Sequence, residues 1–311
     1  MPPTVNASPD EPANEEKFTI RFWGVRGSVA TPGPDTVRYG GNTSCVEIWC
    51  GDHRIVVDAG TGIRMLGRQM MIDGPAAFDL LLSHTHLDHI EGLPFFAPAF
   101  GPGNSFRVWA GHLPEGITIK QALGQLMSAP LFPVPLDAFA QQVQYCDFRP
   151  GDRIELSPEI AVDTTMLDHP NHAVGYRINY RGRSACYISD TAHVPGETNQ
   201  AIVDLIKGAD LVIYDSMFTE EEFAERPHWG HSTWVEGARL VKLAGAKQLV
   251  LFHHDPIRTD GELDEMGREA DAALPGTIVA REGHTMSLSL TWSRLPLRSA
   301  AVFIGAATYS T

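Results

Sequence analysis

Positive charge is scarce in this 311-residue chain: 24 lysines and arginines stand against 38 aspartates and glutamates, a formal net charge of −14. A surface of that sign repels phosphate backbones unless a cation intervenes, which argues against a general nucleic-acid binder. A small anionic substrate is compatible with it only if the site supplies its own positive charge. Cysteine is scarce as well. Cys45, Cys50, Cys146 and Cys186 form no Cys-x-x-Cys pair and fall in runs that read as strands. They are expected to be buried thiols in a reducing cytoplasm. No run approaches the roughly 20 apolar residues of a membrane span. Residues 1–16 have neither the basic nor the apolar part of a signal peptide and read as a disordered tail.

Repeats, linkers and composition breaks are missing too, which leaves one domain over residues 17–292 and a C-terminal extension, 293–311, of unassigned role. With 43% hydrophobic residues the chain has material for a sizeable core. Strands are expected at "KFTIRFWG", "SCVEIWC", "RIVVDAG", "FDLLLSH", "SFRVWAG", "QVQYCDF", "EIAVDTTML", "GYRINY", "SACYISD", "ADLVIYD", "KQLVLFH", "GTIVA" and "TMSLSL". Helices are expected near Ile63 to Met71, Ile119 to Met127, Gln200 to Ile206, Trp234 to Ala244 and Glu262 to Ala272. The helix at Trp234 is well punctuated: Thr233 and Glu236 suit a capping box, and Gly245 suits a left-handed C-terminal cap. Strands in two batches with helices between them predict an α/β fold of two sheets face to face, covered by helices outside.

The stretch "LLLSHTHLDHIEG" places His84, His86, Asp88 and His89 within six residues, directly after an apolar strand. Alternation along a strand lets His84 and His86 point into one space, and Asp88 and His89 follow as the chain turns, able to face a second metal beside the first. Further candidate ligands stand where other strands end: His169 after "IAVDTTMLD", Asp190 closing "SACYISD" and His253 closing "KQLVLFH". Imidazole with carboxylate is the donor set of borderline divalent ions such as zinc.

On these motifs, together with "DAGTG" at Asp58, "DHPNHAVGYRI", "ISDT", "GHST" and "LFHHDP", the sequence resembles the metallo-β-lactamase superfamily, in its ribonuclease Z and cyclic-phosphodiesterase branch. The resemblance covers Phe18 to Leu290 and implies a four-layer αββα sandwich of two mixed sheets with the site along one edge. It implies that His84, His86 and His169 hold one metal, that Asp88, His89 and His253 hold the other, and that Asp190 bridges them, with Asp58 orienting the ligands. His172 is the second choice to His169. His254 is left to contact substrate or to pack.

Two divalent ions per chain, zinc first and manganese or iron as alternatives, generate a bridging hydroxide at neutral pH and clamp the oxygens of a phosphodiester. His231, just before a helix N-terminus, is the candidate proton donor to the departing alkoxide, and Asp88 is held open for ligation or proton transfer. Phe132, His228 and Trp229 are candidate base-stacking groups; the segment around Asn42 to Ser44 is expected to approach the metals by its backbone, with Arg38 as a solvated or phosphate-pairing side chain. Ribonuclease Z carries a long arm that grips tRNA, but only twenty residues separate His169 from Asp190. The expected function is therefore hydrolysis of a small phosphodiester, a cyclic nucleotide, in the cytoplasm, with no stable nucleic acid or membrane partner and with a homodimer as the expected assembly. The alternatives are a carbonyl hydrolase (lactonase, glyoxalase or β-lactamase-like), an RNA-processing nuclease, or a non-catalytic nucleotide sensor.

Overall fold

A computed structural model describes residues 17–139 and 143–289. The expected N-terminal tail and C-terminal extension lie outside the described residues.

In the first half β1 (Phe18–Gly24), β2 (Cys45–Cys50) and β3 (His53–Val57) lead to α1 (Ile63–Asp73), β4 (Ala77–Leu82), α2 (Leu87–Ile90), β5 (Ser105–Ala110), α3 (Ile119–Leu126) and β6 (Val143–Asp147). The second half runs β7 (Arg153–Ser157), β8 (Ile160–Leu167), β9 (Ala173–Tyr180), β10 (Arg183–Ile188), α4 (Gln200–Ile206), β11 (Leu211–Asp215), α5 (Glu220–Glu225) and α6 (Trp234–Ala244). It closes with β12 (Leu249–Phe252), α7 (Asp260–Ala273), β13 (Ile278–Val279) and β14 (Thr285–Ser287). The described residues form two seven-stranded sheets, ordered β14-β1-β2-β3-β4-β5-β6 and β13-β12-β11-β10-β9-β8-β7. Each is antiparallel at one end and parallel at the other, with β3 to β6 and β10 to β13 running parallel. The expected αββα architecture is the one found.

Chemistry of the strands explains the layers. In β1, Phe18, Ile20 and Phe22 are buried while Thr19, Arg21 and Trp23 are half-exposed, the period of two that puts one face on a core. The central strands β11 and β12 are buried at every residue, as parallel strands covered on both faces must be. Between the sheets, Phe22, Ile55, Val57 and Leu81 meet Val162, Tyr176, Tyr187, Ile213 and Phe252. Outside, α1 and α3 cover the first sheet through Leu66, Met70 and Leu123, and α4, α6 and α7 cover the second through Ile206, Val241 and Leu263.

Two elements go beyond the sequence reading: β7 and α5, the latter opening on three consecutive acids. The expected cap of α6 forms in half. Thr233 accepts from Glu236 N at 3.2 Å and Gly245 adopts φ 64°, but the Glu236 carboxylate turns to Arg239 instead of the N-cap amide. All four cysteines lie on strands; Cys45, Cys50 and Cys186 are buried and Cys146 half-buried, and all are free thiols. Burial pushes the Cys186 thiol up to about 12, well away from reactivity.

Candidate metal centre

The site is assembled where strands end. His84 follows β4, His169 follows β8, Asp190 follows β10, Asp215 ends β11 and His253 follows β12. Hydrogen bonds join the two sheets at this rim: Val174 N donates to Ser83 O at 2.9 Å and the Tyr176 hydroxyl to Leu82 O at 2.6 Å. Asp58, Asp190 and His253 each have φ within 61–62°. Left-handed backbone at a non-glycine residue is costly and persists where the surroundings over-determine it; here it turns three side chains inward at the ends of apolar strands.

Among the described residues, four overlapping groups of donors have their ligand atoms within 4.8 Å of one another; two are the sets His84, His86 and His169, and Asp88, His89, Asp190 and His253, and the other two bring in His231, with His169 and Asp190 and with Asp215 and His253. Asp190 stands between the two sets. Its Oδ1 lies 3.8 Å from His84 Nε2 and 3.7 Å from His169 Nε2, while its Oδ2 lies 3.1 Å from His89 Nε2 and 3.4 Å from His253 Nε2. The outward ring nitrogens are already engaged: His89 Nδ1 with Asp58 Oδ2 at 2.7 Å, His84 Nδ1 with Ser83 Oγ at 3.1 Å, and His169 Nδ1 with Gly230 O at 2.7 Å. That fixes the Nε2 edges inward, as metal-binding histidines require.

The donor set fits divalent cations. His84 Nε2 is buried without a hydrogen-bond partner. His89 Nε2 and His253 Nε2 face each other at 3.2 Å, and His169 Nε2 and His86 Nδ1 at 3.0 Å. Lone pairs that converge in this way are reconciled by a shared cation. Burial pushes the His84 imidazole well down, toward the neutral form a metal takes. Burial alone would raise the Asp88 carboxyl, but His89 and His253 outweigh it and hold it below the usual carboxylate range.

His231 lies beside both sets, its ring stacked 5.0 Å from that of His253. Its Nδ1 contacts Asp215 Oδ2 at 2.9 Å. Burial would lower its basicity, yet the Asp215 carboxylate prevails and raises it to about 8. Asp215 escaped the sequence reading, although it closes "ADLVIYD" just as Asp190 closes the neighbouring strand.

Other sequence expectations fall differently. The backbone approach expected at Asn42 to Ser44 is made instead by Ser28, whose amide donates to Asp88 Oδ2 at 2.7 Å. Asn42 gives its side-chain amide to Glu282 at 2.9 Å. Arg38 is bonded through both terminal nitrogens to Asp264, at 3.0 and 2.6 Å, which removes it as a phosphate partner. His254 is fully buried with Nε2 on Ala280 O at 2.8 Å: it packs. His172 is exposed. Phe132 is half-buried and meets the Phe95 ring edge-on at 5.6 Å, whereas His228 and Trp229 are exposed on the segment before His231.

Residues 53–254, which carry every candidate ligand, match the model of the beta-lactamase superfamily domain. The chain belongs to that superfamily. A ribonuclease Z from Gemmatimonas aurantiaca is 25% identical to this beta-lactamase superfamily member, over 88% of this chain and 96% of the relative. Among solved structures, the metallo-beta-lactamase fold protein YhfI from Bacillus subtilis superposes with a TM-score of 0.65 at 17% identity, over 88% of this chain and all of that one. A diphosphatase of the PhnP family superposes with a TM-score of 0.63 at 20% identity, over 88% of this chain and 98% of the other.

Proposed function

We infer that this chain is a two-metal phosphodiesterase, with a cyclic nucleotide as its substrate. The observation that carries the reading is the pairing of the bridging position of Asp190 with the His231–Asp215 pair beside it. When bound by the two donor sets, divalent ions, zinc by preference, supply Lewis acidity and lower the pKa of water. The chain's own residues do the rest. Asp58 and Ser83 fix the rings of His89 and His84, and the Ser28 amide fixes Asp88. Water, having given one proton to solvent, attacks phosphorus, the ester P–O bond opposite breaks, the Nε2 proton of the His231 imidazolium passes to the departing alkoxide, and the ring regains a proton from solvent. Asp215 orients that ring through Nδ1. Asp88, bonded to Ser28 and facing His253, acts here as a ligand. Trp229 and His228, with Phe132 further out, are the groups that would meet the organic part of the substrate.

A small substrate is favoured because β9, a two-residue turn and β10 take up most of the span between His169 and Asp190, where ribonuclease Z would need its arm. RNA processing is the second reading, since the curated relatives carry the name ribonuclease Z along most of their length.

The test is metal content by elemental analysis together with turnover of bis-p-nitrophenyl phosphate, a cyclic-nucleotide panel and a precursor tRNA. About two metals per chain and cyclic-nucleotide cleavage are expected, with His231→Ala keeping both metals and losing roughly 10²-fold or more in kcat. Wild-type turnover in that variant would refute the role of His231, and cleavage of the tRNA alone would select the second reading.

A further inference from the structure

The segment before His231 carries an arginine that makes no side-chain hydrogen bond among the described residues. Arg226 follows α5, and its guanidinium carbon lies 5.3 Å from the centre of the Trp229 ring and 5.6 Å from that of Phe218. Among the described residues its one ion pair is a long one, to Asp255 Oδ2 at 4.0 Å. The neighbouring arginines are buried, Arg26 fully and Arg258 at 8% exposure. Arg26 donates to the carbonyls of Gly40, Asp255 and Arg258 at 2.7 to 3.1 Å, and Arg258 pairs with Glu222.

A guanidinium held beside aromatic rings by its positive charge keeps N–H groups that can receive phosphate in a fork. Arg226 is also tied to the chemistry. The Phe218 ring beside it lies 5.8 Å from the His231 ring, Phe218 N donates to Ser232 O at 3.1 Å, and Phe218 and Thr233 form a β-bridge. Trp229 is 62% exposed, so an indole open to solvent stands next to this cation. Aromatic surface beside an arginine is the pairing that takes a base and its phosphate together.

We propose that Arg226 and Trp229 form a second subsite that binds a further phosphate of the substrate and the base attached to it. The preferred substrates are then nucleotides with two phosphates, one at the metal centre and one at Arg226. This rests on the phosphodiesterase reading for the first phosphate. Two sources offer the second: the other phosphodiester of a cyclic dinucleotide, or the terminal 5′-phosphate of a short linear nucleotide. A cyclic mononucleotide has nothing to give Arg226.

The experiment is equilibrium binding to the metal-loaded full chain of phosphorothioate analogues of cyclic di-AMP, pApA and cyclic AMP, in wild type, Arg226→Ala and Arg226→Lys. Wild type is expected to prefer at least one two-phosphate ligand over cyclic AMP. That preference should fall by about tenfold or more in Arg226→Ala, with Arg226→Lys between. Whether cyclic di-AMP or pApA is preferred distinguishes the two sources. Equal affinity for one- and two-phosphate ligands in wild type, or a preference unchanged in Arg226→Ala, overturns the subsite. Turnover of the unmodified nucleotides and of bis-p-nitrophenyl phosphate is measured on the same preparation. No cleavage of any of them sinks the phosphodiesterase reading, while the affinity ratio still judges Arg226.

Discussion

The hydroxyl of Tyr187, on the second sheet, donates to Oδ2 of Asp58, on the first, at 2.7 Å. The same oxygen meets His89 Nδ1 at 2.7 Å and accepts from Ser83 Oγ at 2.8 Å. One carboxylate oxygen thus joins the two sheets and orients a candidate ligand of the Asp88 set. Tyr176 supplies a control, being buried as deeply and crossing the same interface, but ending on the Leu82 carbonyl. Tyr187→Phe and Tyr176→Phe are each expected to cost about 1 kcal/mol of stability by urea unfolding. Only Tyr187→Phe should weaken the metal held with His89, by roughly 10-fold in a chelator competition, because only it disturbs the partner of a ligand. Equal metal affinities in the two variants would show that the Tyr187 bond serves the sandwich alone.

Asp215 should matter through His231 and not on its own. Asp215→Asn is expected to keep both metals and to lose roughly 10²-fold in kcat, the ring having lost the carboxylate that orients and charges it. The decisive measurement is the double variant Asp215→Asn/His231→Ala. If the two residues act as a unit, it turns over no more slowly than His231→Ala alone; a further multiplicative loss would give Asp215 a separate role.

Convergence of His84, His169, Asp190 and His253 was legible because each follows or closes an apolar run, and a strand end delivers its residue to the rim of a sheet; His86, Asp88 and His89 were legible as a cluster just after the first of these strands. The fold was legible for the same reason, strand by strand. β7 was not: "RIELS" exposes Arg153 and Glu155 in alternation, so its period-two pattern carries only two buried side chains, Ile154 and Leu156. α5 has only Phe223 buried and stands on its Thr219–Glu222 capping box. Contacts across the sandwich were hidden altogether. Tyr187 and Asp58 are 129 positions apart, and a tyrosine inside "SACYISD" reads as core. The segment around Asn42 to Ser44 was assigned to the site, whereas the backbone contact with Asp88 comes from Ser28 at φ 61°, a turn that no local pattern announces.

Outside the metal centre, Asp79 on β4 is expected to contribute to the response to acid. Burial alone would raise its carboxyl, but His53 at 2.8 Å, Arg107 at 2.6 and 2.7 Å and Trp109 at 2.7 Å outweigh that and hold it below the usual carboxylate range. A depressed folded-state value means that the stabilisation is complete above the unfolded value of about 4 and fades as pH falls below it. The stability gap between wild type and Asp79→Asn is therefore expected to be widest near neutral pH and to shrink below about pH 4 in urea titrations. A gap that is constant down to pH 3 would mean that the carboxylate charge is not what stabilises this cluster.

Gly230 links the backbone of the His231 segment to the first donor set. Its φ is 84°, where side chains are strained, and a Cβ there would stand 2.4 Å from His169 Nδ1 and 2.3 Å from the Pro170 ring. Its carbonyl is also the partner of His169 Nδ1. Gly230→Ala must therefore displace either its own segment or the His169 ring. Backbone strain of this kind costs of order 1–3 kcal/mol. Movement of the ring would show as loss of the metal held by His84, His86 and His169 ahead of the other, whereas movement of the segment would leave two metals and slow turnover through His231. Two metals with wild-type turnover would mean that neither His169 nor His231 depends on the contact at Gly230.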